Sequence, residues 1–253
     1  AVAGAPADAQ IIYGLAGERR LPEYELAWLP GYDESRPVRV GNDAVGQFQL
    51  DVYGEVIGAL YEARRAGLDG GGEIWDLTRA FVEFVADHWQ LPDDGIWESR
   101  GPRRQYVTSK VMAWTAVDRA IADAEAHGFP APLARWRTLR EQVRQEVETR
   151  GFDHTRGTFT RWYGSRALDA SSLLIPFVGF LPPDDPRVLG TVAAVEQSLV
   201  RDGLVYRYTR SRGPRTDDGL PPGEGAFLAC SFWLAGNYAR AGRTDEAREL
   251  FER

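Results

Sequence analysis

The residues best suited to chemistry are carboxylates that lie beside aromatic side chains in long loops. The loop 91–108 reads LPDDGIWESRGPRRQYVT, and Glu98 directly follows Trp97. Apolar surroundings disfavour the charged form of a carboxyl and so raise its pKa. A proton donor at neutral pH needs such a carboxyl, which makes Glu98 a candidate general acid. The competing interpretation is an ordinary loop glutamate paired with Arg100 or Arg103.

A second loop, 201–222, leads into the segment GEGAF and offers two further candidates. Glu224 lies between two glycines, which let the backbone approach a ligand closely. The same glutamate could instead be a first-turn residue that the helix dipole favours. Arg207 could donate paired hydrogen bonds to sugar hydroxyls or to a carboxylate, or form a salt bridge with Asp202 or Asp217.

The segment 31–49 also concentrates polar groups ahead of an apolar run. These groups could line a polar pocket or cap a helix, and capping alone explains Asn42. They are Arg36, Arg39, Asn42 and Gln47. Three tryptophans in or near loops are candidates for stacking on a sugar ring. They are Trp28, Trp97 and Trp162.

Composition argues against several other classes of function. The 253 residues include 30 Lys and Arg against 37 Asp and Glu, and this net charge of −7 disfavours binding to a nucleic acid backbone. One cysteine and three histidines far apart in sequence disfavour a disulfide framework, a metal site and any cofactor. No apolar run approaches the roughly 20 residues of a membrane span. Since the start lacks a basic leader, a cytoplasmic protein is expected.

Helical periodicity dominates the rest of the sequence. The segments 72–90 and 132–151 each carry one apolar stripe and one charged face, which is typical of outer helices. The segments 111–124, 168–180 and 226–235 are apolar on most faces, which is typical of buried helices. Pro176 is expected to kink or end the helix over 168–180. A short extended piece is expected over 203–208.

The buried and outer helices alternate as a loose repeat of about 60 residues. The buried helices are predicted to begin near Asp43, Ser109, Leu168 and Gly223. Long segments enter these helices, and short returns lead from them to the outer helices. The long segments are 18–42, 91–108, 151–167 and 201–222. In a ring of antiparallel helix pairs they would all gather on one face, where function usually lies.

Several stretches of the chain resemble bacterial members of glycoside hydrolase family 15, the glucoamylase and trehalase type. Together they cover nearly the whole chain and make a specific match. They include QIIYGLAGERRLPE at 10–23, RPVRVGNDAVGQFQLDVYGE at 36–55, DDGIWESRG at 93–101, LDASSLLIP at 168–176 and GLPPGEGAFLACSFWLA at 219–235.

The resemblance implies an all-α (α/α)6 barrel that cleaves α-glucosidic bonds, in trehalose or short α-glucans, with inversion. It places the general acid on Glu98 and a sugar-pocket residue on Trp97. It also implies substrate-binding roles for Arg207 and Glu224, and Arg39 is included among the substrate-binding candidates. An inverting enzyme needs a second carboxylate to activate water. The family's base lies beyond the helix that begins TDEARELFER, so it is expected to be missing from this chain.

Counting repeats gives about four helix pairs, where the resemblance implies six. Residues 1–253 are therefore expected to be a single catalytic domain truncated at both ends, with apolar helices exposed along two open edges. Such edges favour association, and the isolated chain is expected to be weakly active or inactive. The alternative function is a helical-repeat module that uses its long-loop face to bind a partner without catalysis.

Overall fold

The computed structural model describes residues 5–68, 71–208 and 225–253. The chain divides into two compact units, Ala1–Gln49 and Leu50–Arg253, and each is described by itself. The single catalytic domain over 1–253 stays a prediction.

The first unit contains little regular structure. Strands β1 (Tyr24–Glu25) and β2 (Arg39–Val40) pair antiparallel. Its three short 3₁₀ helices are Pro6–Asp8, Tyr32–Glu34 and Asp43–Gly46. The side chain of Asn42 accepts a hydrogen bond from the backbone N–H of Ala44 at 2.9 Å, so the capping interpretation of Asn42 is confirmed.

The second unit is helical. Its helices are α1 (Asp51–Arg65), α2 (Gly71–His88), α3 (Val107–His127), α4 (Leu133–Arg150), α5 (Pro186–Leu199), α6 (Leu228–Arg240) and α7 (Thr244–Phe251). Two antiparallel ribbons lie between helices: β3 (Phe152–Asp153) with β4 (Thr158–Phe159), and β5 (Val200–Arg201) with β6 (Leu204–Val205). The strand β6 confirms the extended piece expected near Gly203.

The helices form an inner and an outer row, as the alternation in the sequence predicts. Most residues of α3 are buried, and α3 packs against both α1 and α4. By contrast, α4 buries only its apolar stripe, which comprises Trp136, Leu139, Val143 and Val147. Helix α7 packs against α6 in the same way that α4 packs against α3. No helix of the described residues is long and apolar enough to cross a membrane.

Local sequence accounts for several of the helix boundaries. Helix α5 starts with Pro186 in its first turn, and the side chain of Asp185 accepts a hydrogen bond from the Arg187 N–H. Helix α3 ends at Gly128, which has φ 69° and so adopts the left-handed conformation that glycine tolerates best. The predicted end of α4 at Gly151 is confirmed.

Two predictions about the inner row are wrong. A 3₁₀ helix occupies Asp43–Gly46, and the inner helix α1 begins only at Asp51. The helix expected over 168–180 is a 3₁₀ helix at Ala170–Leu174 followed by turns. The reason is Pro176, which lacks the N–H that would continue an α-helix and disfavours helical backbone in the residue before it.

The α6 and α7 helices carry exposed apolar side chains. Leu228, Phe232 and Phe251 expose about half of their surface or more, and the rings of Phe232 and Phe251 lie 5.6 Å apart. An exposed apolar group of this kind is a common feature of interaction surfaces. Association through an open helical edge stays a prediction.

Candidate active site

Buried charged side chains hold the loop that carries Glu98 against the inner helices. The ammonium of Lys110, on the first turn of α3, donates hydrogen bonds to the carbonyls of Trp89 and Leu91. The carboxylate of Asp93 accepts one from the Leu50 N–H at 3.1 Å. Both charged side chains are fully buried, so they fix the start of this loop to the inner helices.

The pKa values of this cluster are shifted mainly by burial. Burial, with the neighbouring charge of Asp93, raises the pKa of Asp51 to about 8. Burial likewise raises the pKa of Asp93 to about 6, although the Ser109 hydroxyl and the Leu50 N–H oppose the shift. Burial lowers the pKa of Lys110 to about 8. Two adjacent buried carboxyls therefore resist being ionised together.

Replacing Asp51 with asparagine is expected to flatten the dependence of stability on pH. The folded state holds the Asp51 proton more tightly than the unfolded chain, whose pKa lies near 3.8. The resulting stabilisation is complete below pH 4 and is lost as the pH rises toward 8, by up to about 1.4 kcal/mol per pH unit. Asp51→Asn should remove this loss, as urea unfolding at pH 5 and pH 8 would measure. Asp76→Asn on exposed α2 should keep the original slope, and an unchanged slope in Asp51→Asn would contradict the assignment.

The turn that presents Glu98 has a constrained backbone. Gly95 has φ 71°, and a Cβ at this position would lie 2.7 Å from the ring of Tyr106, so only glycine fits. Glu98 itself has φ 51°, a left-handed conformation that costs a non-glycine residue free energy. The side chain of Glu98 is exposed among the described residues, so the apolar surroundings expected for it are not found there. Asp33, Glu34 and Asp202 share this conformation, so the strain supports a functional role for Glu98 only together with its surroundings.

Trp97, next to this carboxylate, is buried in an aromatic group. Its indole is 7% exposed and lies 5.6 Å from the ring of Phe227 and 5.9 Å from that of Trp233. The ring of Tyr208 lies 6.4 Å away. The aromatic group thus fixes the residue that precedes Glu98.

Arg207 lies over the same aromatic group. Its guanidinium carbon is 5.3 Å from the ring centroids of both Trp97 and Tyr208. The structure therefore brings Trp97 and Arg207 together, as a shared sugar pocket requires. The substrate-binding role of Arg207 and the alternative of a salt bridge with Asp202 or Asp217 stay predictions, and Asp217 lies outside the described residues.

The other two predicted substrate-binding residues lie outside the described part of the second unit. Arg39, on β2 of the first unit, forms ion pairs with Glu23 at 3.5 Å and with Glu25 at 3.3 Å. Glu224 lies outside the described residues. The roles of both residues stay predictions.

Sequence reasoning missed two buried residues at the site. Asp169 accepts a hydrogen bond from the indole N–H of Trp97, and Arg161 forms an ion pair with Asp169 at 3.3 Å. The sequence predicts that Asp169 caps a helix, and its side chain does accept a hydrogen bond from the Ser171 N–H. Arg161 is one of three arginines in the segment 151–167, so no local signal distinguishes it.

Three of the long connections meet at this site. Residue Tyr106 pairs with Trp162 in one isolated β-bridge, and Asp169 pairs with Tyr208 in another. The connections that lead into α3, into the 3₁₀ helix Ala170–Leu174 and into α6 are therefore neighbours. The gathering of long loops is thus confirmed for these three within the second unit.

The fold is that of a helical glycosidase. A solved glycosidase variant in complex with glucose superposes with a TM-score of 0.70 at 25% identity, covering 88% of this chain and 59% of that chain. The predicted (α/α)6 class is thereby confirmed. The chain belongs to the glycosyl hydrolases family 15, whose family model matches residues 1–253.

Two of the curated relatives of this chain are trehalases. The chain is 43% identical to a trehalase of Mycobacterium tuberculosis over 244 residues, 96% of this chain and 35% of that protein. It is also 43% identical to a trehalase of Mycolicibacterium smegmatis, over 96% of this chain and 36% of that protein. The chain thus spans about a third of the length of these relatives.

Proposed function

We propose that this chain carries the general acid of a site that hydrolyses α-glucosidic bonds, with trehalose as the substrate. The observation that carries the proposal is the position of Glu98: an exposed carboxylate in a strained backbone, directly after a tryptophan that is buried where three long connections meet. Family membership and the trehalase relatives support the same reaction and favour it over a binding module without catalysis.

In the proposed mechanism, Glu98 donates its proton to the glycosidic oxygen, which leaves with one glucose. The bond between this oxygen and C1 of the second glucose breaks at the same time. A water molecule, activated by a second carboxylate, adds to that C1 from the opposite face, so its configuration inverts. Trp97 and the guanidinium of Arg207 help to form the binding site for the sugar ring beside the departing oxygen. Arg39 and Glu224 are proposed as further substrate-binding residues.

The configuration of the released glucose tests the proposal. Trehalose contains two α-glucosyl units, and inversion at one of them gives equal initial amounts of α- and β-glucose. Retention would give α-glucose alone. We expect equal amounts when the first minutes of hydrolysis are followed by proton NMR, with the protein as its gene encodes it.

A substrate panel completes the test, because the sequence motifs do not separate trehalose from maltose or isomaltose. We expect the highest kcat/KM for trehalose. A higher value for either other disaccharide would contradict the substrate, and no hydrolysis of any of the three would contradict the function.

A further inference from the structure

The indole N–H of Trp97 donates a hydrogen bond to a buried carboxylate. Its Nε1 lies 2.8 Å from Oδ1 and 3.0 Å from Oδ2 of Asp169, a residue 72 positions further along the chain. Asp169 is only 3% exposed. A hydrogen bond to a charged acceptor away from water is stronger and more directional than one between neutral groups.

The charge of Asp169 is balanced and its oxygens are held by other groups. Arg161, also buried, places its Nε 3.3 Å from Oδ2. The hydroxyl of Ser171 donates to Oδ1 at 2.7 Å and in turn accepts from the Thr108 hydroxyl at 2.6 Å. A carboxylate with this many partners is a rigid acceptor rather than a mobile one.

Arg161 extends the same network to Tyr208. Its guanidinium carbon lies 3.6 Å from the centre of the Tyr208 ring, a close cation–π contact. Arg207 lies beside the same ring at 5.3 Å. The network therefore supports both candidate sugar-binding residues, Trp97 from its indole N–H and Arg207 through Tyr208.

The backbone around Asp169 reinforces this link. Its neighbour Ala170 donates its N–H to the carbonyl of Arg207 at 2.7 Å, and Asp169 forms a β-bridge with Tyr208. One short segment thus sets the position of the Trp97 ring and of the strand end that carries Arg207.

Helix capping does not account for this arrangement. A cap needs one side-chain oxygen for the Ser171 N–H, and asparagine or serine would supply it equally well. The second oxygen of Asp169, its charge and its buried arginine partner serve Trp97 rather than the cap.

We propose that Asp169 is a positioning residue for the sugar site: through its hydrogen bond to Trp97 and its ion pair with Arg161, it fixes the Trp97 ring and the Glu98 that follows it. This inference rests on the proposed hydrolysis of α-glucosides. Displacing catalytic groups by about 1 Å can cost on the order of a hundredfold in rate.

A double-mutant cycle in kcat/KM for trehalose tests the proposal. Asp169→Asn places a donor against the Trp97 N–H or against Arg161, and Trp97→Phe keeps a ring but removes the N–H. We expect each change to lower kcat/KM about ten- to hundredfold. The double variant should lose little more than either single one, because both changes remove the same contact. Losses that multiply would overturn the proposal.

Controls separate positioning from general damage. Trp114→Phe removes a buried indole of α3 that packs against Phe180 and Arg144 rather than against Asp169, and should leave kcat/KM unchanged. Asp169→Glu keeps the charge for Arg161 while it displaces the acceptor, so it remains informative if Asp169→Asn does not fold. We expect Asp169→Glu to fold and to lower kcat at least about tenfold, and an unchanged kcat would overturn the proposal.

The indole resonances give a readout that a purely structural role would not move. In an NMR spectrum of the unmodified protein, the Trp97 N–H should resonate downfield of the Trp114 N–H, as expected for a bond to a carboxylate. Equal shifts would overturn the contact. If the unmodified protein hydrolyses no α-glucoside, the proposed function fails and the positioning role fails with it. If it does and the cycle is additive, the positioning role alone fails.

Discussion

Replacing Glu98 with glutamine is expected to lower kcat for trehalose by about two to four orders of magnitude, the usual contribution of a general acid. Glutamine has the shape of the protonated carboxyl but has no proton to give to the departing glucose. Binding should change little, because Trp97 and the guanidinium of Arg207 are untouched. Steady-state kinetics would therefore show the loss in kcat and a nearly constant KM.

Leaving-group chemistry sharpens this prediction. Fluoride departs from α-glucosyl fluoride with little help from an acid, so Glu98→Gln should retain most of its activity on that substrate. Glu141→Gln, which removes the same charge from the exposed face of α4, is the matched control and should behave like the unmodified protein. Equal losses on trehalose and on the fluoride would show that Glu98 does not act as the acid.

The sequence was most informative where a local pattern decides the structure. The stripes of α2 and α4 repeat at helical spacing, so the expected segments 72–90 and 132–151 agree with the helices within two residues. The juxtaposition of Trp97 and Glu98 could also be read directly, because adjacent residues need no fold to bring them together. The turn at Gly95 and the left-handed backbone of Glu98 add the strain that a sequence does not display.

Contacts between distant residues explain what sequence reasoning missed. Nothing local distinguishes an aspartate that caps a 3₁₀ helix from one that also receives an indole N–H from a loop 72 positions earlier. Lys110 reads as a charge near the start of a helix, yet it is fully buried and holds the carbonyls of the preceding loop. Both residues are recognisable only once the inner helices and the long connections are packed together.

The inner row also depends on a buried ion pair remote in sequence from the site, and breaking it is expected to cause a large loss of stability. Arg64 of α1 and Asp123 of α3 form a salt bridge in which each side chain is 4% exposed. The guanidinium also lies 5.0 Å over the ring of Phe129. Asp123→Ala would leave this cation buried without its partner, so we expect the free energy of unfolding to fall by about 3–5 kcal/mol. Urea unfolding at pH 7 would measure the change.

Two further variants separate the cost of an unpaired buried charge from the worth of the pair itself. Glu125→Ala, on the same helix, breaks an exposed pair with Arg137 and should cost no more than about 1 kcal/mol. Replacing both partners, as Arg64→Met with Asp123→Leu, removes the charge and fills the space with apolar groups, so it should recover most of the stability that Asp123→Ala loses. If the double variant were as unstable as Asp123→Ala, the attraction between the two charges, rather than the burial of an unpaired one, would be what holds α1 against α3.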